Sequence, residues 1–138
     1  MTLNATYDFL MQVRRKEIVI RRKEALRDEL VACLGPRGAR FDQNGVRHSG
    51  GNMTEKVMAR VADLDTEIEQ LKREKVLSIF ETSDAIERLD NDKEKAVLTA
   101  FYIKAVPMDV VAKMVCYSVR HAYLLRKRGV EHLMEVLG

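Results

Sequence analysis

Residues 107–128 read PMDVVAKMVCYSVRHAYLLRKR, and the rest of the chain is best understood outward from them. Proline is favoured at the start of a helix, where its missing N–H costs nothing, so Pro107 predicts a short helix over Met108–Met114. Val115-Cys116-Tyr117 then makes a tight turn, and Ser118 is a good N-cap for a last helix reaching Leu137. Helix, three-residue turn and capped helix together form the layout of a helix-turn-helix. Ala112 stands where a small residue lets the second helix cross the first closely. Val111 and Val115 before the turn, with Ala122 and Leu125 after it, are the expected core contacts. The outward side of the last helix then carries Val119, Arg120, His121, Tyr123 and Leu124 toward base edges. Lys113, Ser118, Arg126, Lys127 and Arg128 are placed to hold phosphates. Arginine can bond a guanine edge with two hydrogen bonds and lysine neutralises a phosphate, so this pattern suits a duplex partner.

Upstream of this segment, Asp90-Asn91-Asp92 supplies capping chemistry for a third helix at about 92–104, with Ala96, Val97, Ala100, Phe101 and Ile103 on its apolar side. From Thr54 to about Asp90 there is neither proline nor glycine. Val57, Val61, Leu64, Ile68 and Leu71 step by 4, 3, 4 and 3, which is the a/d seam of a coiled coil, and they are expected to be buried. After Leu71 the next seam position is Lys75 and the apolar stripe resumes at Val76, Ile79, Ser83 and Ile86, so the seam is expected to shift by a stutter. At ~1.5 Å per residue such a helix is about 55 Å long, more than a globular core needs. Residues 4 to about 33 form another amphipathic helix. In it Tyr7, Met11, Ile18, Ala25 and Ala32 fall near a seven-residue period, and Leu10, Val13, Ile20, Leu26 and Leu30 widen the stripe. Arg14-Arg15-Lys16-Glu17 recurs one heptad later as Arg21-Arg22-Lys23-Glu24. Residues 35–53 hold five of the seven glycines and one of the two prolines without periodicity, which reads as a loop, its arginines Arg37, Arg40 and Arg47 mobile by default.

The whole is therefore expected to be all-α, with an N-terminal helical hairpin or coiled-coil arm at 1–90 and a helix-turn-helix module at 91–138. The formal net charge of +3 hides a cancellation: basic against acidic residues number 7 to 5 over 1–34, 3 to 1 over 35–53, 6 to 10 over 54–90 and 8 to 5 over 91–138. Pairing of a basic first helix with an acidic second explains both signs, and leaves a basic excess at the C-terminal end. The arm is expected to set dimer geometry or to engage a partner such as RNA polymerase.

Several function classes are set aside. No stretch approaches the roughly 20 apolar residues that span a bilayer, and MTLNATYDFLMQVRRK lacks the apolar core of a signal peptide, so a cytoplasmic protein with no membrane partner is expected. Cys33 and Cys116 read as buried, reduced thiols. Neither they nor His48, His121 and His132 show metal-ligand spacing, so no metal or other cofactor is expected. Asp63, Asp65, Glu67 and Glu69 alternate by two on a helix and spread around it, so they cannot pair as acid and base, and an enzyme is not expected. Met108, Met114 and Met134 read as core filler.

The segment VLTAFYIKAVPMDVVAKMVCYSVRHAYLLRKRGVEHLMEVL resembles region 4 of sigma-70 factors, which implies a four-helix module recognising promoter −35 elements. The order of basic helix, the stretch VRHSGGNMTEKVMARVADLDTEI, long helix and YSVRHAYLLRKRGVEHL is similar to small phage or prophage transcription regulators with such a C-terminus, the ArpU/RinA-like late-gene regulators, over roughly residues 7–137. That resemblance implies a sequence-specific DNA-binding regulator in a bacterial host. The chain departs from the family pattern at Ala105 and Cys116, where glycine is usual. It departs also at Pro107, usually serine or threonine, at Ala122, usually a branched aliphatic, and at Leu124, often basic. A module altered in this way can also serve as a protein-interaction factor that keeps the fold and binds RNA polymerase or another host protein.

Overall fold

The computed structural model describes residues 1–35 and 47–138, and among these every regular element is helical. Helix α1 spans Leu3–Cys33, α2 Arg47–Glu87, α3 Asp92–Leu98, α4 Met108–Met114 and α5 Val119–Leu137. A π-helical turn, Thr99–Ile103, continues α3. The expected loop at 35–53 falls partly outside the described residues. Within them α2 begins at Arg47, earlier than Thr54, and takes in Gly50 and Gly51. Glycine costs up to about 1 kcal/mol in a helix, yet extending a long existing helix adds one hydrogen bond per residue without a new nucleus. Among the described residues no helix is long and apolar enough to cross a membrane.

The chain forms two compact units, one of Met1–Glu17 with Glu74–Gly138 and one of Ile18–Arg73. The expected boundary at residue 90 thus lies inside the first unit. The reason is a shared core: Leu10 of α1 and Ala85, Ile86 and Leu89 around the end of α2 are buried together with Leu98, Tyr102, Val130 and Leu133. Burial pushes the Tyr102 phenol above its usual range.

In the second unit α1 and α2 pair antiparallel within the one chain, since Lys23 meets Glu67 at 2.9 Å, Glu24 meets Lys72 at 3.7 Å and Arg27 meets Asp65 at 3.3 Å. The hydrogen bond from Lys23 holds the Glu67 carboxyl below its usual range. Leu64 and Ile68 are buried there with Ile20, while Val57, Val61 and Leu71 are half-buried.

The expected stutter does not occur. Beyond Leu71 the steps of 4 and 3 continue unbroken through Lys75, Ser78, Thr82, Ala85 and Leu89, while Val76 stays exposed and Ile79 and Ser83 only half-buried. Helix α1 carries the matching series Thr6, Leu10, Val13, Glu17, Ile20, Glu24 and Arg27, so Ile18, Ala25 and Ala32 face outward. At Lys75 and Ser78 the opposite helix supplies the partner, whereas the buried Thr82 Oγ1 finds none among the described residues. Lys75 pairs with Glu17, their side chains only 26% and 17% exposed, and Ser78 accepts from Lys16 and donates to Gln12 at 3.3 Å. A polar layer of this kind fixes register, since a slip would bury each charge against an apolar neighbour. The basic-to-acidic pairing expected between the two helices is therefore only half of the pattern; at Glu17–Lys75 and Glu24–Lys72 the signs are reversed.

Both cysteines are exposed, contrary to the expectation of buried thiols. Cys33 closes α1 beyond its last seam position, and Cys116 occupies a turn whose left-handed backbone turns the residue outward. Met108 is buried and Met134 half-buried, but Met114 is exposed, as is Ala96.

Candidate nucleic-acid interface

Helices α4 and α5 meet through side chains that the sequence singles out. Val111, Ala112, Val115, Ala122 and Leu125 are buried in one cluster with Val97, Ala100 and Met108. Ala112 and Ala122 supply the closeness, as neither side chain extends beyond Cβ. The turn between the helices closes as a Schellman motif: Tyr117 N–H donates to Ala112 O at 3.0 Å and Cys116 N–H to Lys113 O at 3.2 Å. That motif needs a left-handed residue, and Cys116 has φ 62°. Ser118 then caps α5, its Oγ accepting from His121 N–H at 3.1 Å.

The other left-handed residue that is not glycine, among the described residues, is Ala105, φ 56°, just past the π-helical turn. A side chain at positive φ costs of order 1 kcal/mol relative to glycine. Cys116→Gly and Ala105→Gly should each raise stability by about 1 kcal/mol, read as a higher thermal midpoint; an unchanged or lowered midpoint in both would show that the strain is absent.

The turn presents a continuous surface. Val119, Arg120, Tyr123, Leu124, Lys127 and Arg128 on α5 and Lys113 on α4 are all exposed. Ser118, Arg120, His121, Tyr123, Leu124 and Lys127 line a single groove. His121 is half-buried, its ring 4.5 Å from that of Tyr117, and the Lys93 ammonium lies 5.5 Å from the same tyrosine ring. Arg126 is held more firmly than a free phosphate ligand, its guanidinium 4.6 Å from the Phe101 ring and 5.0 Å from Tyr123. The Phe101 ring is also approached by Arg14, 4.1 Å from its centroid, which donates to Phe101 O at 2.9 Å and so caps the π-helical turn. Arg14 is thereby drawn out of the solvated charge run that the sequence suggests. Lys93, Arg14 and Phe101 escape a reading of the α4–α5 segment alone because they come from other helices.

The chain matches no family model, no curated protein and no solved structure.

Among the described residues no three His, Cys, Asp or Glu side chains gather as a metal site. The chemistry available on the α5 surface is hydrogen bonding, cation placement and aromatic stacking. Serine in an N-cap accepts through one lone pair and keeps its O–H as a donor, so Ser118 can still bind an oxyanion.

Proposed function

We propose that the protein is a sequence-specific double-stranded DNA-binding transcription regulator of a phage or prophage, reading its site with the N-terminal half of α5 in a helix-turn-helix. The observation that carries this reading is the exposed set Arg120, Tyr123, Leu124 and Lys127 on a helix whose opposite side is locked to α4 by Ala122 and Leu125. A rigid helix offering cations and small apolar groups on one side suits the major groove, where arginine meets guanine and apolar groups meet the thymine methyl. Arg120 and His121 are assigned to base edges, with Val119, Tyr123 and Leu124 beside them. Lys113, Ser118, Lys127 and Arg128 are assigned to phosphates, and Arg126, already braced on Phe101, to the rim of the same surface.

A gel shift on the DNA flanking its own gene tests this. At ~150 mM salt a specific complex should persist. Arg120→Ala should weaken it by about 1–3 kcal/mol and relax the preference at one base position, and Lys127→Ala should weaken all sequences alike and reduce the salt slope by about 1. Equal, weak binding of every duplex would overturn the assignment. The apolar share of the exposed α5 surface, Val119, Tyr123 and Leu124 at 40–46% exposure, favours the second reading in that event, a factor that docks on RNA polymerase or another host protein.

A further inference from the structure

Helix α2 has a second apolar stripe that no part of the described chain covers. Val76, Leu77 and Phe80 are 50%, 65% and 63% exposed. At 3.6 residues per turn they fall on the side of the helix away from Lys75, Ser78 and Thr82, the positions that face α1. Along the same side run Arg73 before them and Asp84 after them, both exposed.

The order of these residues has a symmetry. Leu77 and Phe80, like Arg73 and Asp84, are placed evenly about the point between Ser78 and Ile79. When a helix packs antiparallel on a copy of itself about a two-fold axis, residues so placed lie opposite one another. Leu77 then packs on Phe80 of the copy and Arg73 faces Asp84, each pairing occurring twice. A parallel pairing in register would set Arg73 on Arg73 and Asp84 on Asp84, so the charges select the antiparallel arrangement. We propose that two copies of this chain dimerise through this face of α2, with Leu77 and Phe80 at the centre and Arg73–Asp84 as the flanking pair on either side. The inference is independent of the DNA-binding reading. It also moves self-association away from the seam at Val57, Val61, Leu64, Ile68 and Leu71, which is directed toward α1 of the same chain.

Light scattering of the purified full chain, from low to high micromolar concentration, should give twice the mass of one chain. Phe80→Glu should return it to the monomer with unchanged helix content by circular dichroism, since the side chain is exposed. Arg73→Glu and Asp84→Lys each set like charges opposite one another and should separately be monomeric. An equimolar mixture of those two variants restores both attractive pairs and should recover the dimer mass. A wild-type monomer throughout that range would overturn the proposal, as would a dimer that survives Phe80→Glu or a mixture of the charge variants that stays monomeric.

Discussion

Cut from the rest of the chain at Asn91, the C-terminal helices should lose their cooperative thermal transition. Leu98, Tyr102, Val130 and Leu133 form only half of their cluster; Leu10, Ala85, Ile86 and Leu89 form the rest. The end of the π-helical turn is likewise capped from α1, through Arg14. A module of fewer than about fifty residues has little core to spare, so losing half of this cluster, one of its two, leaves too little burial to offset chain entropy. A fragment starting at Glu74 keeps Ala85, Ile86 and Leu89 but still lacks Leu10 and Arg14, and should melt well below the full chain. In the full chain Leu133→Ala should cost about 2–5 kcal/mol, the usual range for a fully buried leucine truncated to alanine. Calorimetry of the two fragments, the full chain and the variant checks this. A sharp two-state transition in the 91–138 fragment would show that the module stands alone.

How far the sequence can be read follows from what each signal depends on. The α4–α5 pairing is legible because it is local: Pro107, Ser118, Ala112 and Ala122 act within about fifteen residues of one another, and capping and close crossing need particular side chains at particular places. The left-handed residue at Cys116 is marked only by the resemblance, whose pattern has glycine there. The upper seam of α2 is not legible. Apolar periodicity chooses Val76, Ile79, Ser83 and Ile86, of which only Ile86 is buried, whereas the positions facing α1 run through Lys75, Ser78 and Thr82. Whether lysine can occupy a seam depends on Glu17 standing opposite, a fact about a residue 58 positions away. Misreading the seam also conceals the exposed stripe, because Val76 is then assigned to the inside. The place of Arg14 is hidden in the same way, since a cation in a charged run has no local mark that it caps another helix. At the α5 surface the sequence places the exposed cations and leaves out the support beneath Arg126, which comes from Phe101.

Stability should fall as pH rises from slightly acid to alkaline values, and one pair of residues should account for most of that slope. Glu94 is buried, and its two carboxylate oxygens lie 2.8 and 2.9 Å from Nδ1 of His132. The approach of α5 to α3 that permits this is set by Gly129, where a Cβ would sit 3.1 Å from Leu98 Cδ1 and 3.4 Å from Glu94 Cβ. The hydrogen bond to Glu94 holds the His132 imidazolium above the usual 6.5, with the charges of Glu94, Glu135 and Glu131 adding to it. Because the folded value exceeds the unfolded one, folding favours the protonated ring. The stabilisation is complete below the unfolded value and is lost as pH climbs through the folded one. The His132 side chain is half exposed, so solvent screens the pair and the slope is modest. His132→Leu removes the partner of a buried carboxylate and should cost about 1–3 kcal/mol at slightly acid pH while flattening the profile above it. Adding Glu94→Leu should recover much of that loss, since an apolar pair needs no partner where a lone carboxylate does. Thermal midpoints of the wild type, the single and the double variant across that range separate the contributions. A His132→Leu profile with the wild-type slope would assign the pH dependence to other groups and leave Glu94 buried for packing alone.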